Sequence, residues 1–375
     1  MVLVTVAAGA PWLLAQDAAR FFRIATGGVA GTYYPVGGLI ADVISNPPGT
    51  RPCDRGGSCG VPGMIAVVQT SSGSVSNVEA IAAGAVETAF AQADIAYWAY
   101  AGKEVFNGAP AFDNLRAMTR LYTEAVHIVA RADAEIDSIS DLIGKRVSLD
   151  EVGSGTLADA RLILAAHGID EGLLITFNVK PNQAVSMMRK GELDAFFTIA
   201  GYPTGAVSEL AYDLQISLVP LEDTKVAELR RAYPFFVADE IPAETYPGVA
   251  ATPTVAVAAL WLTGAEQPAD EIEAVLEALY DPRNRERLDS GHPVGRQIVL
   301  EHALDGISVP LHPGAERFFE LRDMLPLEPG VPLEAADPQD GAVPADVTPD
   351  AGDSGPVTGD ERAAQADEPA PASSR

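Results

Sequence analysis

The chain has 375 residues, a 47% hydrophobic content and a formal net charge of −27, with a pI near 4.4. That length and apolar content supply cores for two ordinary domains, and a surface field of that sign repels polyanions, which disfavours nucleic acid as a partner. The acidity is not confined to one end: residues 331–375 hold ten acids and two arginines, a net −8, leaving −19 for the rest.

Met1 to Ala15 carry no charge and are mostly apolar, like the h-region of a secretory signal peptide, although no basic residue precedes Arg20. Residues 1–19 are therefore expected to be a signal-peptide remnant, with a buried N-terminal strand as the alternative. Phe21 to Ala25 then reads as a strand, Gly27, Gly28 and Gly31 as a loop, and Val36, Leu39, Ile40, Val43 and Ile44 as one face of a helix. Cys53 and Cys59 share one short loop, too few for a zinc site and not in C-x-x-C spacing. In a secreted loop they are expected to form a local disulfide; two separate thiols are the alternative.

Met64 to Gln69 is the next strand, Val75 to Ala83 a helix and Thr88 to Gln92 a third strand. A second series starts with a strand at Val126 to Ala130, a short helix at Ser138 to Ile143 and a strand at Arg146 to Leu149. It continues with the loop Gly153-Ser154-Gly155-Thr156, a helix to about His167, a strand at Ile175 to Val179, a helix near Gln183 to Lys190 and a strand at Ala195 to Ile199. Strands alternating with helices predict an α/β fold with parallel sheets. Both series contain a helix-ending glycine three residues before an acid that opens a strand, Gly84 with Glu87 and Gly191 with Asp194. Two similar lobes follow from that agreement in element order. Past Val331 the chain is rich in Pro, Ala, Gly, Asp and Glu and has few large apolar residues, so residues 329–375 are expected to be a disordered acidic tail.

The loop Gly153 to Thr156 is the most informative motif. Thr156 is placed to cap the following helix, with Asp159 three residues on, and a helix start of this kind favours an anion. Many ordinary helices begin this way, so the motif alone is weak. Gly27 to Gly31 lacks the G-x-G-x-x-G pattern, and no Walker lysine follows a glycine turn, so nucleotide binding is disfavoured. Gly56-Gly57-Ser58-Cys59-Gly60 matches G-x-S-x-G literally but lies in the Pro and Cys loop rather than between a strand and a helix. The five histidines, His127, His167, His292, His302 and His312, follow no metal motif. No cofactor and no metal are expected, and no catalytic residue is evident.

Several segments together resemble the TAXI-type solute-binding subunits of tripartite ATP-independent periplasmic (TRAP) transporters, in the family order. They include I-A-T-G-G-V-A-G-T-Y-Y-P-V-G-G (24–38), S-G-S-V-S-N-V (72–78), F-A-Q-A-D-I-A-Y (90–97), L-Y-T-E-A-V-H-I-V-A-R-A-D (121–133) and G-S-G-T (153–156). D-A-F-F-T-I-A-G-Y-P-T (194–204), I-P-A-E-T-Y-P-G (241–248) and A-L-D-G-I-S-V-P-L-H-P-G-A-E-R (303–317) complete the series. The resemblance implies a type II periplasmic-binding-protein fold: lobe 1 from residues 20–122 and 258–328, lobe 2 from 123–257, and a two-strand hinge near Leu121 to Glu124 and Val255 to Trp261. It implies a periplasmic, monomeric, non-catalytic receptor that passes a small carboxylate, such as 2-oxoglutarate or glutamate, to an integral membrane subunit; the alternative is a receptor of the same fold serving an ABC-type or sensory system, with an enzyme less favoured still. The ligand-binding positions it implies are Gly31, Thr32, Tyr33, Ser74, Gln92, Ser154, Gly155, Thr156, Gly201, Tyr202 and Pro203. The arginine with which the other TRAP receptor class grips its carboxylate has no equivalent in these segments.

Overall fold

A computed structural model describes residues 19–325. The expected signal remnant, apart from its last residue, and the expected acidic tail lie outside the described residues.

The described chain contains ten α-helices and twelve strands. The first series runs β1 (Arg20–Ala25), α1 (Tyr33–Ile44), β2 (Ser45–Asn46), β3 (Val61–Pro62), β4 (Met64–Gln69), α2 (Ser74–Ala82), β5 (Thr88–Gln92) and α3 (Ala93–Ala101). A long strand, β6 (Leu115–Arg131), leads to β7 (Arg146–Ser148), α4 (Gly155–Ala166), β8 (Ile175–Phe177), α5 (Pro181–Arg189) and β9 (Ala195–Ala200). Then come α6 (Gly205–Asp213), β10 (Ile216–Leu218), α7 (Asp223–Ala232), β11 (Val237–Ile241) and a second long strand, β12 (Thr252–Gly264). The helices α8 (Ala269–Leu279), α9 (Arg285–Gly291) and α10 (Pro313–Glu320) close the described chain.

The large sheet has the order β4-β1-β5-β12-β6-β9-β7-β8, with β10 on β6 and β11 on β12. Residues 115–125 of β6 pair with β12, while residues 125–130 pair with β9 and residues 129–131 with β10. β12 changes partners likewise, from β11 at residues 252–256 to β5 at 259–263. The same five-strand plan therefore occurs twice, as β4-β1-β5-β12-β6 and as β8-β7-β9-β6-β10. The α/β class and the doubled type II arrangement are those expected from the sequence.

The doubled glycine and acid have a shared physical role. Gly84 and Gly191 sit at φ 66° and 69°, the left-handed conformation that ends a helix at low cost for glycine. Glu87 then accepts the Arg23 backbone N–H at 2.7 Å and its Nε at 2.8 Å, and Asp194 accepts the Arg146 backbone N–H at 2.9 Å and its Nε at 3.0 Å. Each acid ties the start of its strand to an arginine on the parallel neighbour.

Three apolar clusters fill the fold. One packs α1, α8 and α10 on the first sheet half around Trp261, whose ring lies edge-on to Phe90 at 6.2 Å and Phe22 at 6.5 Å. Another packs α5 and α6 around Phe196 and Tyr246, and the third runs through both halves. Cys53 and Cys59 form a disulfide with Cα atoms 4.8 Å apart. Within that loop the Ser58 hydroxyl donates to the Ser45 carbonyl, so it serves the loop's own structure.

Some boundaries differ from the sequence reading. Ile139–Leu142 is a 3-10 turn, not an α-helix, held by Ser138 and Asp141 capping each other. The N-cap of α4 is Ser154 rather than Thr156: Ser154 Oγ accepts from Leu157 N at 3.1 Å. Thr156 lies inside the first turn, where its hydroxyl accepts from Ile199 N at 3.1 Å.

Candidate functional site

Open α/β sheets leave a crevice outside the carboxyl ends of their parallel strands. Here the loops after β1, β4, β7 and β8, together with the ends of β5 and β9, enclose a cavity of about 260 Å³. Gly31, Thr32, Tyr33, Ser74, Gln92, Ser154, Gly155 and Thr156 all line it, joined by Glu124, Asp150, Glu151 and Lys180. Gly201, Tyr202 and Pro203 lie beside the wall: Gly201 O accepts from Thr32 Oγ1 at 2.7 Å and so holds the first loop in place.

The two sheet halves meet at this cavity. Ser76 N donates to Gly153 O at 3.0 Å, and Ala206 N donates to Ala30 O at 2.9 Å. Gly155 allows a close approach: a Cβ there would lie 1.6 Å from Gln92 Oε1 and would displace that side-chain amide.

A chain of polar contacts crosses the floor. Tyr33 Oη donates to Glu124 Oε2 at 2.7 Å and lies 3.4 Å from Ser74 Oγ. Ser74 Oγ donates to Gln92 Oε1 at 3.2 Å, and Gln92 Nε2 donates to Asp159 Oδ2 at 2.7 Å. Beyond it, Asp94 and Asp159 are both completely buried, and neither Asp94 oxygen nor Asp159 Oδ1 has a donor. Burial raises both carboxyl groups above the ordinary carboxylate range, and the neighbouring acid adds to this for Asp159, so the neutral form of each is favoured. Burial, with the Asp94 charge added, holds Asp159 well above the ordinary carboxylate range.

Burial also pushes Glu124 up to about 8; the Tyr33 hydrogen bond opposes the shift and Asp94 adds to it. Asp150 rises to about 7, again mainly through burial, despite the bond from Glu151 N. Lys180 is the single cation among the described residues lining the cavity, and it pairs with Glu151 at 3.3 Å. The site thus offers hydroxyls, helix-start amides and carboxyl groups that favour their neutral form.

Sequence reasoning does not single out Glu124, Asp150 or Lys180. Glu124 has a readable signal: it is the one acid between Arg120 and Arg131, in an otherwise mostly apolar run. Asp159 reads in the sequence as a capping residue, whereas its carboxyl faces Gln92 across the cleft. His127 is buried within the fold, where its Nε2 lies 2.9 Å from Tyr246 Oη.

Several solved structures are similar in outline. MatC from Rhodopseudomonas palustris with bound malate shares 14% identity over 81% of this chain and 96% of that chain, with a TM-score of 0.46. The alkanesulfonate-binding protein SsuA from Xanthomonas axonopodis pv. citri, bound to MOPS, shares 14% over 81% and 84%, with a TM-score of 0.43. The periplasmic binding protein BugD shares 11% over 81% and 94%, with a TM-score of 0.48. At the level of sequence, residues 24–320 match the NMT1-like family, and the chain belongs to that family.

Proposed function

We propose that the chain is an extracytoplasmic solute receptor that closes on a small organic acid and delivers it to the membrane subunit of a TRAP transporter. The observation that carries this reading is the meeting of strand-end loops from both sheet halves, with the start of α4, around one cavity. In this reading residues 20–122 with 258–328 and residues 123–257 are the two lobes. The strands near residues 121–124 and 255–261 are the hinge, since there β6 and β12 pair with each other. Gly31, Thr32, Tyr33, Ser74, Gln92, Ser154, Gly155 and Thr156 contact the solute, and Gly201, Tyr202 and Pro203 position the first loop. The protein binds and releases; it catalyses no reaction.

The TRAP assignment rests on the motif series of the TAXI subunits, and the periplasmic location follows from the same likeness. Thermal unfolding with a panel of 2-oxoglutarate, glutamate, malate, an alkanesulfonate and a phosphonate tests the solute class. A ligand at a hundred times its Kd adds about 2.7 kcal/mol. Stabilisation by carboxylates is the expected result; stabilisation by the sulfonate or phosphonate alone would replace the organic acid with another anion. Pull-down from membranes with the receptor as bait distinguishes a TRAP subunit from an ABC-type permease.

A further inference from the structure

The cavity binds its solute without a free cation, and Glu124 shows what takes the cation's place. Glu124 sits in β6 opposite Val257 of β12, is 2% exposed and still lines the cavity. Its Oε2 accepts from Tyr33 Oη at 2.7 Å, and Oε1 has no partner among the described residues.

The titratable groups around it come from every neighbouring element. Tyr33 comes from α1, Asp94 from α3, Asp159 from α4 and Tyr122 from its own strand. Across the cavity stand Asp150 and the Lys180–Glu151 pair. The neighbours that carry or share charge are acids, phenols and a lysine already neutralised. An ionised carboxylate would be buried there without a counterion, at a cost of several kcal/mol. A neutral carboxyl group has one O–H to give, and with Oε2 engaged by Tyr33, Oε1 is the atom left for the cavity.

We propose that Glu124 meets the solute as the neutral carboxylic acid and donates its O–H to an oxygen of the solute's anionic group, so that a proton and the solute are bound together. This rests on the organic-acid reading of the cavity. Glu124 is then the specificity-determining group: it accepts an anion without an arginine and disfavours binding once ionised. No covalent bond to the solute forms; the proton comes from water, stays on Glu124 and returns to water on release.

The test is calorimetric titration of wild-type protein with 2-oxoglutarate, malate and glutamate from pH 6 to pH 9, in buffers of different ionisation enthalpy. Binding of 2-oxoglutarate or malate should take up protons near pH 8. Above that pH affinity should fall by about tenfold per unit, the limit for one obligatory proton. Glu124→Gln, which keeps a neutral donor of similar shape, should lose the pH dependence and the proton uptake assigned to this group.

Proton release on binding would overturn the proposal, and release confined to glutamate would make Glu124 a carboxylate for an ammonium group. An identical pH profile in wild type and Glu124→Gln would overturn it as well. If the acids bind without proton exchange, only the role of Glu124 fails. If no acid binds wild type at any pH, the organic-acid reading fails with it. The wild-type buffer series stands even if the variant does not fold.

Discussion

Gln92 Nε2 donates to Asp159 Oδ2 at 2.7 Å, so the end of a strand in one sheet half is bonded to a helix in the other. The bond depends on Gly155, one turn earlier on the same helix, because any side chain there would occupy the space of the Gln92 amide. The contact between the halves and the polar floor are therefore one structural unit.

Gly155→Ala should separate what Gln92 joins. The added Cβ forces the amide away, and overpacking of this kind costs about 1–3 kcal/mol when the structure cannot relax. A structure that relaxes by parting the halves keeps most of its stability but binds solute more weakly. Titration with the best acid of the panel should show at least a tenfold loss; wild-type affinity would mean that the two halves need not approach so closely.

Thr156→Val removes the acceptor of Ile199 N–H at the end of β9. An orphaned buried donor costs about 1–3 kcal/mol. Ser154→Ala removes the helix cap and should cost about 1 kcal/mol. Denaturant melts distinguish the two. If both hydroxyls also touch solute, affinity falls by more in each case than in a cavity-remote variant of equal stability loss.

Stability should decline as the solution becomes alkaline. The folded protein holds Glu124 at about 8 and Asp150 at about 7, above their ordinary values, so between about pH 4 and pH 8 it binds more protons than the unfolded chain. That contribution is fully present below the unfolded values and is lost progressively as pH rises from there, with a limiting slope of about 1.4 kcal/mol per pH unit for each group, until it is gone above about 7 for Asp150 and about 8 for Glu124. On the acid side Asp194 is lowered by the Arg146 hydrogen bonds, and Glu87 is lowered because those of Arg23 outweigh its burial. Their contribution is present above the unfolded values and disappears as pH falls. Urea melts from pH 3 to pH 9 should give a maximum on the acid side of neutrality. Glu124→Gln and Asp150→Asn should flatten only the alkaline limb.

Reduction of Cys53–Cys59 should lower stability by about 2–3 kcal/mol, the chain-entropy value for so short a loop. Neither cysteine lines the cavity, so solute affinity measured under native conditions should not change. A large loss of binding on reduction would connect that loop to the cleft.

Much of this architecture is legible in the sequence because a strand with both faces buried reads as a short apolar run, as Ala195 to Ile199 does plainly. The doubled Gly84–Glu87 and Gly191–Asp194 spacing is legible too, and its cause is the arginine that each acid holds on the next strand. What escapes is whatever depends on partners distant in sequence. β11 is charged and mostly exposed, which conceals an edge strand. β6 is readable only at its second end, because Arg116, Arg120 and Glu124 interrupt its apolar pattern. Thr156 reads as a cap because a hydroxyl before a helical stretch normally is one; that it bonds to β9 instead is a fact of tertiary structure. Asp94 shows no sign in sequence that it will lie buried against another acid.

The two strands that exchange partners midway, β6 and β12, have a mechanical consequence. They are hydrogen-bonded to each other from residue 115 to residue 125, with register shifts between Ala259 and Leu260 and between Trp261 and Leu262. A laddered ribbon resists stretching and shear but yields to twist, and a bulge concentrates that compliance at one place. If the halves move as proposed, this ribbon is where their twist is taken up.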